Sequence, residues 1–96
     1  MKGSDLLTRE AVLANANELI NGDRAQMYGD AAVAHDRIAR VWSVLIDKEI
    51  NAHQVCLLLA AMKMVRAAVN PEYTDSWVDM AGYAALGAEI VSRTND

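Results

Sequence analysis

Asp75 and Asp79 stand four residues apart in the stretch Asp75-Ser76-Trp77-Val78-Asp79-Met80-Ala81-Gly82-Tyr83. On a helix that spacing turns both carboxylates to one side, in a sector that also holds Leu86 and Ile90. A stripe continued by leucine and isoleucine favours burial, and carboxylates rarely enter such a stripe without a cation or a metal beside them. Lys63, Arg66 and Asn70 form a matching polar face on the otherwise apolar run from Val55 to Val69. The two polar stripes read as one site.

Two chemistries suit that site. Oxygen ligands projecting from one helical face fit Mg2+, which keeps several waters and shares the phosphates of a substrate. Lys63 and Arg66 then fit phosphate. The plainer account makes the acids helix-start residues favoured by the macrodipole and neutralised by Lys63 or Arg66 in structural ion pairs. Spacing alone does not separate these outcomes. Tyr83 lies beside the acid stripe.

The segment from Asn21 to Asp30 adds Asp23, Arg24 and Tyr28, an acid, a guanidinium and a ring suited to a metal, a phosphate and a base. Its bland alternative is a turn at Gly22-Asp23, a surface arginine and a capping Asp30. Glu18 falls on the polar face of the first helix with Asn17, a solvated position by default and a metal ligand in the alternative. His35 shares a side with Ile38 and Trp42 and reads as a satisfied core histidine. His53 reads as surface, and Trp42 and Trp77 as packing residues.

These side chains need elements to position them. Ninety-six residues, rich in Ala, Leu, Val, Met and Ile with no Phe and one Pro, predict a single all-α domain. Thr8 caps a first helix to about Asn21, with Val12, Leu13, Ala16, Leu19 and Ile20 inward; Gly22 ends it and a loop follows. Asp30 caps a second helix to about Ile46, with Ala34, Ile38, Val41, Trp42 and Leu45 inward and Asp36, Arg40 and Ser43 outward. Asn51 caps a third to about Val69 that is apolar almost all round. After the turn Asn70-Pro71-Glu72-Tyr73, Thr74 or Asp75 starts a fourth that reaches about Ser92. Ala81, Ala84 and Ala88, with Trp77, give the fourth helix a second apolar face. Two helices without a solvent face predict a four-helix, bundle-like domain that self-associates through them, most simply as a two-fold dimer.

A formal net charge of −4 argues against a bulk nucleic-acid partner and leaves room for a small phosphorylated ligand. The one cysteine, Cys56, sits in an apolar run as a small hydrophobe, which excludes a disulfide framework and fits a reducing cytoplasm. Met1-Lys2-Gly3-Ser4-Asp5 lacks the apolar core of a signal peptide, and Lys63 and Arg66 interrupt the longest apolar run. A cytoplasmic protein without a membrane span is expected.

Taken in order, Asn21-Gly22-Asp23-Arg24, Tyr28-Gly29-Asp30, Ile38-Ala39-Arg40-Val41-Trp42-Ser43, Lys63-Met64-Val65-Arg66 and Asp75 through Leu86 resemble, over nearly the whole chain, a family of small phage and prophage proteins of uncharacterised function. The family is in turn loosely similar to the MazG-like nucleoside triphosphate pyrophosphohydrolases. Those are all-α oligomers in which Mg2+ on acidic side chains promotes cleavage between the α and β phosphates. The resemblance implies a nucleotide-related role. It departs in one respect: those enzymes carry a Glu-x-x-Glu pair and a Glu-x-x-Asp pair on successive helices, whereas this chain has acids spaced i, i+4. Asp75 and Asp79 correspond to the second pair, and Glu18 or Asp23 would have to stand in for the first.

The leading expectation is a nucleotide-binding protein with Asp75, Asp79, Asp23 and Glu18 as Mg2+ ligands and Lys63, Arg66, Arg24, Tyr28 and Tyr83 on the ligand. If hydrolysis occurs, Asp79 and Lys63 carry it, through a metal-activated water and stabilised phosphoryl charge. Its alternatives are a protein that sequesters a nucleotide intact and a helical interaction module whose polar stripes are only ion pairs.

Overall fold

Side-chain acceptors set three of the helix starts. Thr8 Oγ1 accepts the Ala11 N–H at 3.0 Å, and Asp30 Oδ1 accepts the Ala32 N–H at 2.9 Å. Asn51 and Gln54 form a capping box, in which the Asn51 N–H donates to Gln54 Oε1 at 2.8 Å. In the computed structural model, which describes residues 7–22 and 30–94, these caps open α1 (Arg9–Asn21), α2 (Ala31–Ile46) and α3 (Ala52–Val69); α4 (Thr74–Thr94) follows the Pro71 turn. No strand occurs among the described residues, so the chain is one all-α domain with the expected helix boundaries. The Gly22 N–H closes α1 on the Glu18 carbonyl at 2.8 Å. Asp47 closes α2 in the left-handed region at φ 56°, a conformation that aspartate tolerates better than most residues. The Trp77 indole N–H donates to the Pro71 carbonyl at 2.9 Å, tying the α3–α4 turn to the first turns of α4.

The α3–α4 hairpin is the centre of the fold, with α1 packed on α4 and α2 laid mainly across α3. Glycine permits the closest approach. A Cβ on Gly87 would stand 3.1 Å from Cys56 Cβ, and one on Gly82 would stand 3.3 Å from Ile20 Cγ2 of α1. The buried hydrophobic residues are mostly small, Ala16, Ala39, Ala60 and Ala67 with Val55, Cys56, Val78 and Ile90, so the core is thin. Many larger apolar side chains, including Leu57, Leu58, Val65 and Val69, are exposed.

The α2 helix is rotated from the expected orientation. His35 and Ala39 are its buried residues, Ala34, Ile38 and Trp42 are half-buried, and Val41 and Leu45, expected inward, are 58% and 74% exposed. Ser43, expected outward, turns in because the chain just before α3 needs it. Its Oγ accepts the Ile50 N–H at 2.8 Å and donates to the Ala39 carbonyl at 2.7 Å. This polar requirement turns Ser43 in, while the sector that holds Val33, Val41, Val44 and Leu45 faces out.

Replacing Ser43 with Ala orphans the half-buried Ile50 N–H. The substitution lowers unfolding free energy by about 1–2 kcal/mol in urea titration, whereas Ser→Ala at exposed Ser92 leaves it unchanged within about 0.5 kcal/mol.

Candidate functional site

Lys63 lies on the side of α3 that meets α4, and Asp79 lies in the second turn of α4. Their packing brings Lys63 Nζ to 2.8 Å from Asp79 Oδ2. The lysine side chain is 14% exposed and the aspartate 24%, so the pair is largely withdrawn from water but open at one edge. Such a pair differs from a surface salt bridge. Desolvation of both charges offsets much of their attraction, and losing one partner leaves the other costly to keep.

The other members of the two stripes stay at the periphery. Asp75 is exposed, accepts the Tyr73 hydroxyl at 3.2 Å, and with Asn70, Glu72 and Thr74 lines a hollow of about 290 Å3. Arg66 is exposed and makes no ion pair with either aspartate; its carbonyl accepts the Asn70 N–H at 2.9 Å. The Tyr83 ring, half-buried one turn beyond Asp79, meets His35 edge to face with centroids 6.4 Å apart. His35 is buried and its Nδ1 donates to the Ala31 carbonyl at 2.7 Å, as expected of a satisfied core histidine. Glu18 is exposed at the end of α1, where a Cβ on Gly22 would collide with its carboxylate. Asp23, Arg24 and Tyr28 lie outside the described residues.

Among the described residues no group of three or more His, Cys, Asp or Glu side chains stands close enough to hold a metal ion. Asp79 and Asp75 fit Mg2+ as oxygen donors, but the Lys63 ammonium already rests on Asp79. A divalent cation there requires that ammonium to move, and phosphate is an acceptor it could move to.

Two features escaped the sequence reading. His53, read as surface, is half-buried and borders both a polar hollow of about 700 Å3 beside Asp36, Arg40 and Glu49 and an apolar groove of about 760 Å3 between α3 and α4. Its position at the start of α3 gave no sign of this, because the hollow depends on how α2 crosses. Cys56 also lines the groove, and burial pushes its thiol up, an effect its own backbone hydrogen bond only partly opposes; this disfavours the reactive thiolate.

Over 77 residues the chain is 39% identical to the Gene 55 protein of Mycobacterium phage L5, and over 81 residues 37% identical to the Gene 55 protein of Mycobacterium phage D29. The matches cover 79% and 84% of this chain but 49% and 54% of those proteins, so the chain spans about half the length of these curated relatives. No solved structure matches it. A family model for a domain of unknown function matches residues 11–91, which takes in Lys63, Asp79 and nearly all of the four helices. With that match and its phage-encoded relatives, the chain belongs to the DUF6378 family.

Proposed function

We propose that the chain binds a nucleotide or a similar small phosphorylated ligand together with Mg2+, and holds it without cleaving it. The observation that carries this reading is the Lys63–Asp79 pair, a charged contact set in a mostly apolar helix interface and still open to solvent on one side. As a purely structural device it is a poor choice, since well-packed apolar residues commonly do as well. As a binding device it is apt. Ligand phosphate would accept from Lys63, with Arg66 at the rim adding a second cation, while Asp79 and Asp75 would hold the Mg2+ that neutralises the phosphates. Arg24, Asp23, Tyr28, Tyr83 and Glu18 remain candidates for the rest of the ligand shell.

Retention is favoured over pyrophosphohydrolysis because the acids are few. No Glu-x-x-Glu pair occurs, the one Glu-x-x-Asp spacing, Glu72 to Asp75, straddles the turn before α4 instead of lying on a helix, and no three-ligand cluster occurs among the described residues. The phage origin of the relatives suits a protein that removes a host nucleotide from circulation. A second reading, a helical interaction module without a ligand, is favoured by the exposed apolar side chains of α3.

The test incubates purified full chain with nucleoside triphosphates and cyclic dinucleotides, with and without Mg2+, and follows ligand and products by mass spectrometry. Stoichiometric retention of one intact nucleotide, weakened when Mg2+ is removed, is expected. Release of monophosphate and pyrophosphate makes it an enzyme instead, and neither retention nor turnover leaves the interaction module.

A paired variant separates binding from folding. Lys63→Met with Asp79→Leu keeps helical content and unfolding free energy within about 1 kcal/mol of the parent, because both charges leave together. Ligand retention falls at least about ten-fold, or about 1.4 kcal/mol. Retention unchanged in that variant would place the ligand elsewhere.

A further inference from the structure

We propose that the chain holds a single-chain amphiphile with an ammonium head, the head in the polar hollow beside Glu49 and the apolar tail along the groove between α3 and α4. The two spaces adjoin. His53 borders both, and the successive residues Ile90 and Val91 of α4 line the hollow and the groove respectively. They therefore meet where the start of α3 passes the end of α4. At about 700 and 760 Å3 each has the size of a small-molecule site, and neither is lined by Lys63 or Asp79.

The groove sets the tail. Cys56 and Gly87 lie at its floor, where α3 and α4 come close, and exposed Leu57, Met64, Ala84 and Ala88 stand along its walls. No Asp, Glu, Lys or Arg borders it, so it offers a guest no charge to pair with. It runs from His53 to Met64 on α3 and from Val91 back to Met80 on α4, eleven residues on each wall. At the helical rise that is about 16 Å. An extended hydrocarbon advances about 1.3 Å per carbon, so a tail of about twelve carbons fills that length.

The hollow sets the head. Asp36 and Arg40 neutralise each other there at 3.1 Å, whereas Glu49 makes no ion pair or side-chain hydrogen bond among the described residues. With histidine counted as neutral, the hollow has one carboxylate in excess, and the net charge of −4 adds to its attraction for a cation. An ammonium supplies that cation and three donors. A metal ion suits the place less, because no three ligating side chains gather among the described residues. A small amine leaves the groove empty, and a neutral hydrocarbon leaves Glu49 unmatched. One amphiphile answers both.

Calorimetric titration of the full chain at pH 7 with alkylamines, protonated at that pH and kept below their micelle concentrations, tests the proposal. One equivalent is expected to bind, with affinity rising about two- to four-fold per methylene from octylamine to dodecylamine and levelling beyond it. Dodecanoate binds at least about ten-fold more weakly than dodecylamine, and Glu49→Gln weakens dodecylamine at least about three-fold. Ala84→Trp, at an exposed position on the groove wall, weakens it at least about ten-fold while circular dichroism stays helical. Val65→Trp, about 140° around α3 from Ala60 of the groove, leaves binding unchanged, as does Lys63→Met with Asp79→Leu, so the outcome is independent of the nucleotide reading. Absence of saturable binding overturns the proposal, as does affinity that keeps climbing through hexadecylamine. Dodecanoate binding as tightly as the amine, or Ala84→Trp binding as the parent does, overturns it equally.

Discussion

The close approach of α3 and α4 is the constraint on which the rest depends. Gly87 lets the helices meet at Cys56, and from that point seven residues along α3 and eight back along α4 lead to Lys63 and Asp79. An antiparallel register fixed by a glycine contact thus also fixes an ion pair about two turns away. A Cβ at the crossing would stand 3.1 Å from Cys56 Cβ, so the helices would have to give by a few tenths of an ångström to take it.

Helix limits were legible because each depends on local chemistry. Thr8, Asp30 and Asn51 accept or exchange hydrogen bonds within a turn, Gly22 ends α1, and Pro71 cannot continue α3. The orientation of α2 was not legible, since Val33, Ile38, Val41, Val44 and Leu45 share one sector of about 140° that periodicity marks as the inner face, yet all of them but Ile38 are exposed. A hydrogen bond to Ile50, seven residues beyond Ser43, decided it, and periodicity carries no record of such a bond.

The candidate site was legible in half. Facing polar stripes on two apolar helices correctly joined Lys63 to Asp79. They did not distinguish these residues from Arg66 and Asp75, because the difference is one of small rotations. Arg66 lies about 60° around α3 from Lys63, and Asp75 about 40° around α4 from Asp79. At the edge of an interface such angles separate a residue the neighbouring helix covers from one it leaves in water. Asp75 also lies in the first turn of α4, where Tyr73 meets it before the opposite helix can.

The two apolar sides of α3 then differ in a way that bears on both readings of the protein. Its inner side meets α4 and contains a charge, which restricts how that helix pair can slide, since any slip would strand Lys63. Its outer side contains no charge and sets no such restriction. Neither Lys63 nor Asp79 borders the outer groove. Tyr83, one turn beyond Asp79 and a candidate for the ligand shell, does line that groove, so the two places meet at its ring.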